Sequence, residues 1–149
     1  MGRFTLAFLG LLLSFVIATN VWAADFGTVY QDAKIQNAVI APLPDTGSGK
    51  MVLRFNLTNT AVDKLTITGV SGDLHDASHI MAELGPDKFV ELDSLSILSE
   101  EQLDMTSAGI HIELDNLRLP SGPDRTITLN LVLLNGEMPF KARLIDATH

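Results

Sequence analysis

Two histidines and a methionine fall within the segment HDASHIM, residues 75–81, of a chain that has four histidines. A third histidine, His111, follows in the alternating segment GIHIEL. In a β-strand, residues i and i+2 point to the same face, so His79 would lie beside Met81 and His111 beside Glu113. Two such strands placed side by side would bring these groups to one point. Imidazole and thioether together favour copper, especially Cu(I), because thioether is a soft ligand that zinc and hard cations seldom use.

The same residues also have a purely structural interpretation, which spacing alone leaves open. A lone histidine on a strand is commonly a surface residue, and a lone methionine on an apolar face commonly fills a gap in a core. The sequence contains no Gly-x-Ser-x-Gly segment, and no Ser/His/Asp arrangement can be identified from spacing. We therefore expect a binding protein and not an enzyme.

The elements that would position these residues are short strands, because apolar residues recur with a period of two. KMVLRFNLTN places four apolar side chains on one face: Met51, Leu53, Phe55 and Leu57. KLTITGV, KFVELDSLSIL, IHIELDNLRL, TITLNLVLL and FKARLI continue this alternation, and Gly/Pro/Asp-rich turns separate them. VLLNGEMPFKARL predicts a hairpin about Asn135-Gly136, and SEEQLDM could form one helical turn. Seven to nine strands indicate an all-β antiparallel sandwich or barrel in a single domain.

The first 23 residues predict an export signal. Arg3 precedes an uncharged apolar run from Phe4 to Ala18, and small residues at Val21 and Ala23 suit signal peptidase. The run is shorter than the roughly 20 residues of a comfortable bilayer span, although an uncleaved anchor is the rival interpretation. We expect a signal peptide over residues 1–23, an N-terminal arm over 24–34 and one domain over 35–149. The mature protein would then lie in the periplasm without membrane insertion.

Charge and cysteine content exclude several function classes. Without Arg3, nine basic residues face eighteen acidic ones, a net charge of −9. A chain this acidic lacks the basic face that neutralises phosphates, so we expect no nucleic-acid partner. The chain has no cysteine, which excludes dithiol redox chemistry. Any metal must be held by histidine, methionine or carboxylate side chains.

The order FNLTNTAVDKLTITGVSGDLHDASHIMAEL…GIHIELDNL, over roughly residues 35–145, resembles the periplasmic PCu(A)C-type (DUF461-like) copper chaperones. The resemblance implies a Greek-key β-sandwich related to cupredoxins. It also implies a shallow, exposed copper site and transfer of copper towards the copper centre of cytochrome oxidase. The family pattern is written H(M)x10Mx21HxM. Its first histidine and nearby methionine match His79 and Met81, and its second histidine matches His111.

The chain departs from that pattern at two ligands. The middle methionine falls at Val90 counted forward or at Phe89 counted backward, and neither is methionine. The final His-x-Met reads His111-Ile112-Glu113, which replaces a thioether by a carboxylate at a position expected on an exposed rim. Affinity and selectivity for Cu(I) should fall, and Cu(II) or Zn(II) becomes possible with Glu113. Met105 and His75 are less favoured substitute ligands, the first as a core or rim residue and the second as a loop residue.

Two functions remain for the structure to weigh. The first is a monomeric, exported copper-binding protein that exchanges Cu(I), or Cu(II), with a copper-donating or copper-accepting periplasmic protein. The second is a metal-free β-sandwich that has lost part of the copper site and serves as a binding or scaffolding module.

Overall fold

The computed structural model describes residues 32–43 and 49–146. The expected signal peptide, most of the expected arm and His149 lie outside these residues. Within them, the first strand begins at Ala33, two residues before the domain boundary expected at residue 35. No helix of the described part has the length and apolarity needed to cross a bilayer.

The described residues form strands joined by turns, with no helix among them. The ten strands are β1 (Ala33–Pro42), β2 (Met51–Asn59), β3 (Leu65–Ser71), β4 (Ala77–Gly85), β5 (Lys88–Leu92), β6 (Leu95–Ile97), β7 (Gln102–Asp104), β8 (Ile110–Asp115), β9 (Thr126–Leu133) and β10 (Gly136–Leu144).

These strands form one continuous sheet in the order β5-β4-β8-β2-β1-β10-β9-β3-β6, and β7 pairs with β2. The pairs are antiparallel except that β1 runs parallel to β10. β1 changes register between Gln36 and Val39, and Asn37 has a φ of 54° there. Asparagine tolerates this left-handed conformation, so the chain can bend within β1. β1 lies between the two halves of the sheet, which are β5-β4-β8-β2 and β10-β9-β3-β6.

The core lies between those halves and follows the period-two pattern. Leu53, Phe55 and Leu57 of β2 are buried, as the alternation predicts. Phe55 packs against Phe140 of β10 with ring centroids 5.7 Å apart. The β9–β10 hairpin also forms where predicted, with Leu133 paired to Gly136. The all-β fold class is thus confirmed, as one nearly closed, folded sheet.

Two segments differ from what their local pattern indicates. KFVELDSLSIL is one alternating run but contains two strands, because β5 pairs with β4 whereas β6 pairs with β3 at the other end of the sheet. The chain crosses between the halves at Asp93-Ser94, which a period-two pattern cannot show. SEEQLDM contains no helical turn, because residues 102–104 gain backbone partners on β2 as strand β7.

Candidate metal site

Strands β4 and β8 place four of the predicted site residues on one face of the sheet. His79 lies directly opposite Glu113, and Met81 lies directly opposite His111. Residues opposite each other in an antiparallel pair share a face, and diagonal neighbours lie roughly 7–8 Å apart. His79 and His111 are such diagonal neighbours, with Met81 next to both. The neighbouring Ile80 and Ile112 point the other way, into the core.

The His111 side chain is almost completely buried although it lies on the outer face. Its residue is 3% exposed, and the ring of Phe89 packs edge-on against the imidazole with centroids 5.2 Å apart. The Nε2 atom of His111 is buried without a hydrogen-bond partner. The nearest carboxylate oxygen, Oε1 of Glu113, lies 3.6 Å away, too far for a hydrogen bond. A buried imidazole nitrogen without a partner is rare, and a ligand would satisfy it.

The environment of His111 favours its neutral form. Burial lowers the pKa of His111, and the positive charge of Arg54 lowers it further, while Glu113 acts in the opposite sense. A neutral imidazole is the form that coordinates metals. His111 is therefore prepared for a metal without first losing a proton near neutral pH.

His79 has the opposite environment. Its Nδ1 lies 2.6 Å from Oε1 of Glu91, and its Nε2 lies 3.1 Å from Oδ2 of Asp115. The hydrogen bond to Glu91, supported by Asp115, raises the pKa of His79. The protonated ring donates to both carboxylates, and the side chain is 33% exposed. To bind a metal, His79 must lose its proton and release at least one carboxylate.

Glu113 is not an exposed rim residue, and that expectation is wrong. The residue is 8% exposed, and its Oε2 accepts a 2.7 Å hydrogen bond from Nζ of Lys50. Lys50 immediately precedes β2, and the next residue, Met51, pairs with Leu114 of β8. The Lys50 ammonium therefore lies close to Glu113, the neighbour of Leu114 in β8. The carboxylate at the family's thioether position is thus already paired with a positive charge.

Met105 is a core residue that also lines a small cavity beside His111. It is 1% exposed, and its backbone N–H donates to the carbonyl of Phe55. The cavity has a volume of about 130 Å³ and its walls include Arg54, Met105 and His111. The structural interpretation of Met105 fits its burial, and the residue lines the same cavity as His111.

His75 is a loop residue, as expected, but it is buried. Its ring Nε2 donates a 3.0 Å hydrogen bond to the carbonyl of Val70, and the ring packs near Gly72. These contacts hold the His75 ring against the end of β3, within the β3–β4 connection. The outer face of β4 and β8 therefore receives His79 and His111 without His75.

The two positions expected for the missing methionine point to opposite faces. Val90 pairs with Ala82, on the face opposite to the candidate site. Phe89 pairs with Glu83 and contacts His111. Where the family pattern has a soft ligand, this chain has an aromatic ring that covers the histidine.

The face also carries charged residues that the sequence did not single out: Lys50, Arg54, Glu91 and Asp115. Glu91 lies opposite Met81 in β5, and Asp115 follows Glu113 at the i+2 position of β8. The i+2 relation to Glu113 was a signal that could have identified Asp115. The contribution of Lys50 depends on the β2–β8 register, which no local pattern indicates.

The outer face of β4 and β8 carries both soft and hard potential metal ligands. Within residues 32–43 and 49–146, no three His, Asp or Glu side chains are grouped closely enough to hold a metal ion by themselves. The register does bring together two imidazoles and one thioether. Two imidazoles with a thioether suit Cu(I), whereas a zinc or calcium site would draw on the carboxylates.

Comparisons with known proteins identify the fold. No protein-family model matches the chain, and no curated protein matches it. The copper-bound PCuAC domain from PmoF2 is similar to this chain with a TM-score of 0.63 at 15% identity, over 80% of this chain and 97% of that domain. The apo PmoF2 PCuAC domain gives a TM-score of 0.63 at 18% identity, over 83% of this chain and 96% of that domain. Apo-DR1885 from Deinococcus radiodurans gives a TM-score of 0.55 at 18% identity, over 98% of this chain and 97% of that chain. The expected PCuAC-type fold is thereby confirmed.

Proposed function

We propose that this chain is a PCuAC-type copper-binding protein that holds Cu(I) with His79, Met81 and His111 and transfers it to another protein. The observation that carries the proposal is the buried, unpartnered Nε2 of His111, which lies opposite Met81 and diagonal to His79. Burying a polar atom without a hydrogen bond costs about 1–3 kcal/mol, and a bound ion would remove that cost. The PCuAC fold and the copper-bound state of a similar domain support the choice of metal.

The exposure of the three ligands suggests how the copper would leave. The His111 side chain is 4% exposed and would hold the ion from the inside. His79 and Met81 are partly exposed and would face an approaching protein. Ligands of the acceptor can replace these two one at a time while His111 still holds the ion. This arrangement of exposed and buried ligands supports the proposed transfer of copper.

The cellular setting belongs to the same proposal. We propose an exported monomer in the periplasm whose partner is a copper-donating or copper-accepting protein, with the copper centre of cytochrome oxidase as the final destination. The apolar segment near the start of the sequence and the fold support this setting. They do not identify the partner.

X-ray absorption at the copper edge of the anaerobically loaded protein tests the ligand set. We expect one sulfur and two nitrogen scatterers, and loss of the sulfur in Met81→Leu. Met105→Leu tests the buried alternative, and Met138→Leu in the β10 core is the matched control. A sulfur shell that survives Met81→Leu and disappears in Met105→Leu would transfer the ligand role to Met105.

The second candidate function is a metal-free scaffold, and one specific feature favours it. The polar groups around the site already have protein partners, since His79 contacts Glu91 and Asp115 while Glu113 contacts Lys50. A scaffold would keep these contacts as permanent surface structure. Nuclear magnetic resonance with Cu(I) separates the two functions: a chaperone shows copper-dependent shifts at His79 and His111, and a scaffold shows none.

A further inference from the structure

The Lys50 ammonium lies against the two carboxylates nearest to the candidate imidazoles. Its Nζ is 2.7 Å from Oε2 of Glu113 and 4.0 Å from Oδ1 of Asp115. Glu113 approaches Nε2 of His111, and Asp115 is the hydrogen-bond partner of Nε2 of His79. The Lys50 charge therefore pairs with the carboxylate beside His111 and lies near one of the two carboxylates that contact His79.

These carboxylates would otherwise make the face attractive to divalent ions. Among the described residues these carboxylates and imidazoles do not form a ready-made metal cluster. Glu113 and Asp115 nevertheless place hard oxygen donors next to His111 and His79, which favours Zn(II) or Cu(II) over Cu(I). The Glu113 side chain is only 10% exposed, so its charge is poorly screened by solvent. A divalent ion at the imidazoles must compete with the ammonium for Glu113.

We propose that Lys50 determines the metal selectivity of the site by pairing with Glu113 and placing its positive charge near Asp115, so that Cu(I) is favoured over divalent ions. This inference rests on the proposed function, because it concerns the same site. Electrostatic energy is proportional to the charge of the ion, so the ammonium opposes a divalent ion with twice the energy that it exerts on Cu(I). The fold-change on removing the charge is therefore squared for the divalent ion. If Cu(I) affinity rises by about threefold, Zn(II) affinity rises by about tenfold.

Release of Glu113 adds to this difference. Without Lys50, the Glu113 oxygens become available as hard ligands next to His111, which benefits Zn(II) and Cu(II) more than Cu(I). The site departs from the family pattern where a carboxylate replaces the last thioether. The lysine beside that carboxylate would offset the change in metal preference that the carboxylate causes.

The test compares Lys50→Leu with wild type in two titrations of the full chain, because leucine removes the charge without adding a sulfur ligand. One measures Cu(I) anaerobically against a chromophoric competitor, and the other measures Zn(II) by competition with a fluorescent chelator. We expect Zn(II) affinity to rise about tenfold or more in Lys50→Leu while Cu(I) affinity rises at most about threefold. Lys141→Leu, at an exposed position of β10, removes the same charge far along the sheet and should change neither affinity.

Two further variants exclude trivial explanations. Lys50→Arg retains the charge and should keep the wild-type preference. Lys50→Gln also removes the charge and takes the place of Lys50→Leu if leucine disturbs folding. Equal changes for both ions, or none, in Lys50→Leu and Lys50→Gln with Cu(I) binding intact overturn this inference alone. If wild type binds no Cu(I), the proposed function fails and this inference fails with it.

Discussion

Replacing Glu113 by methionine would restore the thioether that the family pattern has at this position. Glu113 is buried and lies on the same face as His111, directly opposite His79, so a methionine there would present its sulfur to the ion. We expect Cu(I) affinity to rise by about tenfold, which corresponds to ~1.4 kcal/mol. Affinity for Zn(II) should fall, because a hard ligand is lost.

The effect on folding can be worked out from the same contacts. The substitution breaks the ion pair with Lys50, whose side chain is 41% exposed and can return to water. A partly exposed pair contributes about 1 kcal/mol or less. Burying a methionine side chain is worth about 1.5–3 kcal/mol relative to leaving it exposed, which exceeds that loss. The free energy of unfolding should therefore not fall.

Glu113→Leu is the matched control, because leucine and methionine have similar volumes and both remove the carboxylate. The assay is anaerobic Cu(I) competition for both variants, with chemical denaturation of the metal-free proteins. The difference between Met and Leu isolates the sulfur. Equal Cu(I) affinity in the two variants would refute the reasoning, since residue 113 would then lie outside the coordination sphere.

The remaining predictions concern pH and the core. The folded-state pKa of His79 is raised, so its contacts with Glu91 and Asp115 stabilise the fold below about pH 6.5 and are lost as pH rises through the raised value. The pKa of His111 is lowered, so its environment stabilises the fold above about pH 6.5, and this contribution is lost as pH falls through the lowered value. Ring-proton resonances should show His79 titrating at a higher pH than His111. The reverse order would contradict these environments. Asn59 is fully buried: its Nδ2 group has two hydrogens to share among three backbone carbonyls, and its Oδ1 accepts from the Ala61 N–H. Asn59→Ala should therefore lower the free energy of unfolding by about 3–4 kcal/mol in chemical denaturation, and a loss below about 1 kcal/mol would show that these bonds contribute little.

The sequence predicted the strands well because alternation is a local property. Leu53, Phe55 and Leu57 are buried as one face of β2, and the turn at Asn135-Gly136 joins two strands as expected. Alternation also predicted correctly that His79 shares a face with Met81, which the β4–β8 register bears out. These features need only the geometry of a single strand or hairpin.

The burial and charge of the site could not be predicted in this way. Alternation assigns His111 and Glu113 to an outer face, and such residues are ordinarily exposed. Phe89 from β5 packs against His111, and Lys50, next to β2, binds Glu113. Both contacts depend on which strands are neighbours, and only tertiary structure fixes that order.

The metal role of His111 is the central claim, and an anaerobic Cu(I) titration tests it most directly. The titration should compare wild type, His111→Ala and His149→Ala against a chromophoric competitor, with His149 at the end of the chain as the control. We expect one Cu(I) per wild-type chain, at least about a tenfold loss of affinity in His111→Ala and no change in His149→Ala. Wild-type affinity in His111→Ala, or no Cu(I) bound by the folded wild-type protein, would contradict the account.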